Sequence, residues 1–249
     1  MTTERGARLK CLNAFHLKLL AMGLMLCDHM WATVIPGSQW MNAVGRLAFP
    51  IFAFQIVEGY FHTRSFKGYL KRMLLFALLS EIPFNLMYGG SMVYPFHQNV
   101  MFTFCIALAL MRLIDLAGTK GRAAYWVAAA GCCLLGYVLG FVTMVDFFGY
   151  GVLTVLLFYL CRGRRFGWLG QLAGMAVIHG CMVGGLMLSV PVAGHVLEFD
   201  QQALAVLALI PIWLYNGRQG YHSKPFQYAC YAFYPVHMLI LSLVVRLFY

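Results

Sequence analysis

Apolar residues run along this chain in long stretches separated by short polar breaks. The stretches fall at residues 14–35, 41–61, 69–88, 99–117, 123–143, 146–161, 167–190, 201–216 and 226–248. About 20 such residues cross a bilayer as a helix, and an open strand cannot cross with its backbone unpaired. The pattern therefore predicts an all-α, polytopic bundle of about nine transmembrane helices. The sixth and eighth stretches are short, which leaves room for a re-entrant segment. No internal repeat, low-complexity tract or composition shift divides the chain, so residues 1–249 read as one domain.

Composition agrees. The chain is 62% hydrophobic and 10% charged, with a mean hydropathy of +0.75, whereas a soluble domain is about a quarter charged. The net charge of +10 invites a nucleic-acid partner, but its placement excludes one. Arg5, Arg8 and Lys10 precede the first stretch. Arg64, Lys67, Lys71 and Arg72 follow the second, Lys120 and Arg122 the fourth, Arg162, Arg164 and Arg165 the sixth, and Arg218 and Lys224 the eighth. The intervening breaks hold no Lys or Arg. This alternation places the N-terminus inside and the C-terminus outside, in the cell's cytoplasmic membrane. Trp31, Trp40, Tyr88, Tyr94, Trp168 and Tyr249 stand where interfacial anchors belong. The eight cysteines lie within or at the ends of apolar runs and read as small hydrophobes. A cleaved leader is not expected, because the first run carries Lys18, Asp28 and His29 and no small-residue cleavage site follows it.

Ionisable groups inside spans cost about 2.5–3.5 kcal/mol each at mid-bilayer, so they need a partner or a function. Asp28 and His29 fall in the outer half of the first span, and a neutral His29 beside Asp28 is a candidate general base. The alternative is an ion pair with Arg46 that merely pins two helices. Arg46 stands near the outer end of the second span, with Pro50 four residues on and the Arg46 carbonyl thereby freed. Glu58 lies near the inner end, paired with Arg64 or a basic residue of the next loop, or functional. Glu81 and Asn85 share a face of the third span around Pro83, and Asn99 opens the fourth. Asp28, His29, Arg46, Glu81, Asn85 and Asn99 thus fall at comparable depth, which predicts a polar cavity open to the outside.

His179 and His237 are lone imidazoles on apolar helices and read first as structural, although Pro235 opens the helix beside His237. His97 carries little signal as a lone loop histidine. No CxxC, HExxH or i, i+4 histidine pair suggests a metal. The inner basic loops suit the phosphates of coenzyme A, although orientation alone explains those charges. Asn216 and Arg218 in Tyr215-Asn216-Gly217-Arg218 are more suggestive, because Asn and Gly there serve neither spanning nor orientation.

LKLLAMGLMLCDH (17–29), GRLAFPIFAFQIVEGYFHTR (45–64), YLKRMLLFALLSEIPFNL (69–86), NVMFTF (99–104), FGYGVLTVLLFYL (148–160), LYNGRQG (214–220) and YAFYPVHMLIL (231–241) together resemble the TraX family. That family is named for conjugal-transfer proteins linked to N-terminal acetylation of pilin. The resemblance implies an acetyl-CoA-dependent N-acetyltransferase, with Asp28, His29, Arg46, Glu58, Glu81, Asn99, Asn216, Arg218, Pro235 and His237 on family-like motifs. The first span is also similar to that of other membrane acyltransferases, which carry an early histidine.

The reading that results is an acyltransferase. Acetyl-CoA or a longer acyl-CoA docks near Arg64, Lys67, Lys71, Arg72, Asn216 and Arg218. His29 with Asp28 takes a proton from an amine or hydroxyl acceptor, which is a peptide N-terminus, a sugar or a small molecule. Arg46 or Asn99 stabilises the oxyanion. Glu81 and Asn85 orient the acceptor, and Glu58 and His237 line its path. The rival is a carrier or flippase using the same polar cluster, with helices broken at Pro50, Pro83 and Pro235. A third reading is a subunit that only scaffolds a membrane complex. Self-association is left open.

Overall fold

The computed structural model describes residues 10–192 and 195–248; Arg5, Arg8 and Tyr249 lie outside them. Among the described residues the chain is mainly helical, with one hairpin. Helix α1 spans Ala14–Thr33, α2 Gln39–Gly45, α3 Ala48–His62, α4 Phe66–Tyr88, α5 Val100–Gly118, α6 Arg122–Val142 and α7 Phe148–Cys161. Then come α8 (Gly167–Val177), a π-turn (Ile178–Met182), strands β1 (Met187–Val192) and β2 (His195–Asp200), a 3₁₀ stretch (Gln201–Ala208), α9 (Leu209–Trp213) and α10 (Lys224–Phe248). Among the described residues, four segments are long and apolar enough to cross a membrane: Gln39–His62, Val100–Gly118, Arg122–Val142 and Lys224–Phe248. Phe148–Cys161 and Gln201–Trp213 are apolar but shorter. This is a membrane protein by the length and apolarity of its helices.

The described residues divide into two compact units. One takes the chain up to Gln55 together with Gly163–Gln227. In it α1 packs against α2, and the π-turn against the 3₁₀ stretch, around Leu17, Ala21, Met175, Ala205 and Leu209. The other takes Ile56–Arg162 and the chain from Tyr228. There α4 to α7 pack as sequential neighbours over Ala77, Phe84, Leu108, Met111, Ile114, Val155 and Phe158. Small residues set the closest approach in this unit. A Cβ on Gly140 would stand 2.4 Å from the Gly149 nitrogen, and one on Gly149 only 2.3 Å from the Tyr137 carbonyl oxygen, so α6 and α7 touch backbone to backbone.

Outward surfaces are apolar too. Leu74, Leu75, Leu78, Leu79 and Ile82 repeat at helical spacing on α4 and stay exposed, as do Val127, Leu134, Val138 and Val142 on α6. In water such stripes drive association; in lipid they are the solvated face.

Three stretches depart from the sequence pattern. The run at 41–61 is two helices with a turn at 46–47, so Pro50 sits in the first turn of α3. Its missing N–H falls among the groups that lack an intrahelical partner in any helix. The run at 167–190 stops being helical at Met182, and its last residues enter β1. The strands pair antiparallel, Leu188 opposite Phe199 and Ser189 opposite Glu198. Two strands leave their outer backbone edges unpaired, so a hairpin of this kind does not belong in hydrocarbon. The run at 201–216 begins as 3₁₀ helix, whose rise of about 2.0 Å per residue stretches a short segment further than an α-helix does.

Candidate functional site

In the first unit the chain turns back after α1, and α2 lies against it. Gly45 makes that approach possible, since a Cβ there would lie 2.5 Å from Asp28 Cβ. The next residue, Arg46, donates from Nη2 to Asp28 Oδ1. Asn42, one turn earlier on α2, donates its amide to the same oxygen at 3.0 Å. Arg46 Nε reaches the Asn42 carbonyl and Nη1 reaches Gln202 Oε1, each at 3.4 Å. A guanidinium only donates, so it turns the oxygen of Gln202 toward itself and the amide nitrogen toward His179 Nδ1, 2.9 Å away. A neutral His179 then carries its proton on Nε2. Asn42, Gln202 and His179 are buried, and His179 sits in the π-turn, a deviation frequent at functional sites. Asp28, Asn42, Arg46, Gln202 and His179 therefore form one connected chain of polar groups.

Asp28 and His29 are adjacent on α1, so their side chains diverge by about 100°. His29 is buried, and its carbonyl accepts from Thr33 Oγ1 at 2.6 Å. The ion pair weighed as the alternative for Asp28 is present. Asn42 and Gln202 escaped the sequence reading. Asn42, four residues before Arg46 in one run, was the available signal.

The second unit gathers Glu81, Asn85 and Asn99 with two loops. Asn99 is the N-cap of α5, its oxygen accepting from Met101 N at 3.1 Å. Its amide nitrogen donates to Ala77 O at 2.8 Å and to Glu81 Oε2 at 2.5 Å. Both amide hydrogens are thus spent, and Asn99 holds Glu81 and starts α5 rather than offering a donor to an oxyanion. Glu81 Oε1 and Asn85 Oδ1 are buried acceptors with no hydrogen-bond donor, and the neighbouring Ser80 Oγ is likewise unpartnered. Asn85 Nδ2 donates to Met92 O at 3.3 Å.

His97 lies in the loop before α5, with Nε2 3.3 Å from Asp146 Oδ1. Gln98 N donates to Met144 O, and Asp146 N donates to Gln98 O, each at 2.8 Å, which straps this loop to the one after α6. Met144, Phe147 and Phe148 all have left-handed φ, at 51°, 57° and 44°, a conformation that costs a non-glycine residue about 1–3 kcal/mol. Burial opposes a charge on His97. The hydrogen bond and charge of Asp146 and the charge of Glu81 outweigh it, so the imidazole titrates above the usual 6.5. Its reading as a lone loop histidine is corrected: the partner is remote in sequence.

Elsewhere the expected site residues have definite places. Glu58 pairs with Arg162, its Oε1 2.6 Å from Nε, not with Arg64 or the loop that follows it. Arg162 also lies over the Phe61 ring, 4.3 Å from the centroid. Asp115, passed over in the sequence, accepts from Tyr159 OH at 2.6 Å and from Tyr60 OH, joining α3, α5 and α7. Arg64, between α3 and α4, and Lys67, Lys71 and Arg72, in the first two turns of α4, are exposed. His237 is buried, with Nδ1 donating to the Phe233 carbonyl at 2.6 Å.

Asn216 and Arg218 belong to a turn that grips the start of α1. Asn216 Oδ1 accepts from Arg218 N at 2.9 Å, and Gly217 takes a φ of 76°. Ala14 N and Phe15 N donate to the carbonyls of Arg218 and Gln219, and Asn13 caps His16 N. The first N–H groups of α1, a ready phosphate site when free, are thereby filled. The Arg218 side chain stays exposed.

A family model described as TraX protein matches residues 14–245. A curated protein of Dichelobacter nodosus, "Probable fimbrial assembly protein FimC, serogroup H1", is 27% identical over 247 residues, covering 92% of this chain and 94% of its own. No solved structure matches the chain. The motifs spread from α1 to α10 and the family match run over the same residues, and the chain belongs to the TraX family.

Proposed function

We propose that this chain is a membrane-embedded acyltransferase, moving an acetyl or longer acyl group from cytosolic acyl-CoA to an amine or hydroxyl acceptor. The observation that carries the reading is Arg46. Asp28, Asn42 and Gln202 hold it from three sides, while the guanidinium has more N–H groups than these bonds use. A cation fixed in low-dielectric surroundings with donors to spare suits the developing oxyanion of a thioester under attack. His29, next to Asp28 on α1, is the base that takes the proton released by attack. Thioester carbon–sulfur cleavage then releases coenzyme A as the thiol. Arg218, exposed and basic in the same unit as His29 and Arg46, suits the cofactor's phosphates.

The D. nodosus relative is named for fimbrial assembly, and a fimbrial or pilin subunit with a free N-terminus is a fitting acceptor. The orientation proposed with it is nine membrane passes in the cytoplasmic membrane, N-terminus inside and C-terminus outside. Cysteine labelling from each side, at positions in the basic and non-basic loops, checks it. A carrier is the second reading, favoured by the interrupted segment from Gly167 to Trp213, where helix, π-turn, hairpin and 3₁₀ helix succeed one another.

Thiol release from acetyl-CoA by the purified protein in nanodiscs, with a panel of amine and hydroxyl acceptors, tests the proposal. Acceptor-dependent release that vanishes in His29→Ala with folding intact supports it. Release undiminished in that variant removes His29 from the mechanism. No release with any acceptor and no acyl-CoA binding leaves the carrier, to be tested by flux into liposomes.

A further inference from the structure

On α4 the first basic residues and the outward apolar ones share one face. At about 100° per residue, Lys67, Lys71, Leu74, Leu75, Leu78 and Ile82 fall within about 100° of the helix circumference, and all of them are exposed. The lysines occupy the first two turns and the apolar residues the turns that follow. From Lys71 to Ile82 the helix rises about 16 Å, close to the roughly 15 Å of one leaflet's hydrocarbon. We propose that this face of α4 binds an anionic phospholipid, its phosphate between Lys67 and Lys71 and an acyl chain along the leucines. The inference goes beyond acyl transfer and does not depend on it.

The charge here has no counterpart nearby in the chain. Residues 59–80 hold Arg64, Lys67, Lys71 and Arg72 and no Asp or Glu. Glu58, just before them, is taken by Arg162, and Asp115 accepts from two tyrosines. Among the described residues none of the four cations joins an ion pair. A fifth cation, Arg112 of α5, is exposed and stands by Phe66, 5.9 Å from the ring centroid. Lys67 also faces the positive end of the helix dipole, a repulsion that an anion relieves. Cations clustered beside an apolar helix face draw anionic headgroups, each adding about fivefold to affinity.

Orientation in the bilayer explains cations near a helix end, but not their register with the apolar face. α6, in the same unit, shows the difference. It too begins beside exposed cations, Lys120 and Arg122, and carries an exposed stripe of Val127, Leu134, Val138 and Val142. Arg122 lies about 120–160° round the helix from those residues, so charge and apolar face are separated. On α4 they are continuous. The phosphates of coenzyme A would meet the same cations as a lipid phosphate but would leave the leucines idle. A phospholipid uses both.

The test is a titration of the delipidated full chain in mild detergent with phosphatidylglycerol, the adducts being resolved by native mass spectrometry. The first adduct should be the tightest, and phosphatidylcholine with the same chains, whose headgroup carries its own cation, should bind several-fold more weakly. Lys67→Gln with Lys71→Gln should weaken the first adduct about 30-fold. Its melting temperature in lipid-free detergent should not change, because both side chains are exposed. Lys120→Gln with Arg122→Gln removes the same charge away from the stripe and should leave the adduct intact. Coenzyme A and glycerol phosphate, at concentrations matching the lipid, should not displace it. A first adduct unchanged by the α4 substitutions overturns the assignment, as does phosphatidylcholine binding equally well. Equal weakening by both double variants overturns it too, since charge alone would then decide. Displacement by coenzyme A or glycerol phosphate overturns it in favour of a phosphate site that takes no acyl chain. The titration needs no turnover, so a protein that releases no thiol leaves this result standing or falling by itself.

Discussion

The polar networks of the two units are made of similar residues and differ in how far they are filled. In the first, Asp28, Asn42, Arg46, Gln202 and His179 pass hydrogen bonds along a line in which each oxygen named meets a nitrogen. In the second, Asn99 and Thr103 are satisfied, while Glu81 Oε1, Asn85 Oδ1 and Ser80 Oγ have no partner. A filled network contributes stability and fixed geometry; a network with open acceptors gives up stability to keep a place for something else. The difference separates residues whose loss should cost much stability from residues whose loss should cost little.

The largest expected effect is in the filled network. Asp28→Asn removes the charge that compensates Arg46, leaving a largely buried guanidinium without its counter-ion. Breaking such a pair from one side costs about 3–5 kcal/mol, toward the low end here because both side chains retain some exposure. Denaturant or thermal unfolding in detergent measures it. The double variant with Arg46→Gln should recover part of the loss, because no charge is then stranded. A loss below about 1 kcal/mol would mean that Asp28 and Arg46 are solvated independently and that the comparison fails on its first side.

A smaller loss is expected one residue before Arg46. Gly45→Ala would place a methyl group 2.5 Å from Asp28 Cβ and 2.6 Å from Oδ1. Either α2 backs away or Asp28 turns, and overpacking of this sort costs about 1–3 kcal/mol. If the cause is displacement of Asp28, combining Gly45→Ala with Asp28→Ala should cost less than the sum, since the shorter side chain makes room.

These residues also show how much was legible in the sequence. Apolar run length placed six helices (α1, α4, α5, α6, α7 and α10) to within about three residues, because the length needed to cross lipid is a strong constraint. It did not place the runs at 41–61, 167–190 and 201–216. It also supplied Asp28, Arg46, Glu81, Asn85 and Asn99 as polar groups needing an explanation. What it could not supply was pairing. Asn42 and Gln202 are uncharged and drew no attention, and His97 looked solitary because Asp146 is 49 residues away. Asn99 passed for a donor because capping is invisible until the start of α5 is known. Tyr215-Asn216-Gly217-Arg218 was singled out as serving neither spanning nor orientation; in the structure Asn216 N donates to the Leu12 carbonyl and the Arg218 carbonyl accepts from Ala14 N, which ties down the start of α1. The hairpin was missed for a physical reason: once lipid is taken as the solvent, every apolar run is assigned to a helix, and Met187, Leu188 and Val190 prolong the apolar run before them.

A weaker effect belongs to the loops of the second unit and depends on pH. His97 titrates above its unfolded value, so its pairing with Asp146 stabilises the fold fully below the usual 6.5. That contribution is lost as pH rises through the higher folded-state value. Thermal unfolding from pH 6 upward should therefore show a falling melting temperature beyond the general trend, and Asp146→Asn should flatten it. The pair is partly exposed, which keeps the amplitude to about 1 kcal/mol or less. A slope of opposite sign would show that burial, not the carboxylates, governs this imidazole.

The smallest stability change is expected where acceptors are left open. Glu81→Gln keeps the shape of the side chain and can keep an oxygen toward the Asn99 amide, while removing a carboxylate that has an unfilled acceptor. Loss of one bond's charge assistance is offset by relief of that desolvated oxygen, so unfolding should shift by less than about 1 kcal/mol, in either direction. Asp28→Asn would then destabilise the fold far more than Glu81→Gln. If Glu81→Gln destabilises as much as Asp28→Asn, the open acceptors are not open in the folded protein, and the second network is as structural as the first.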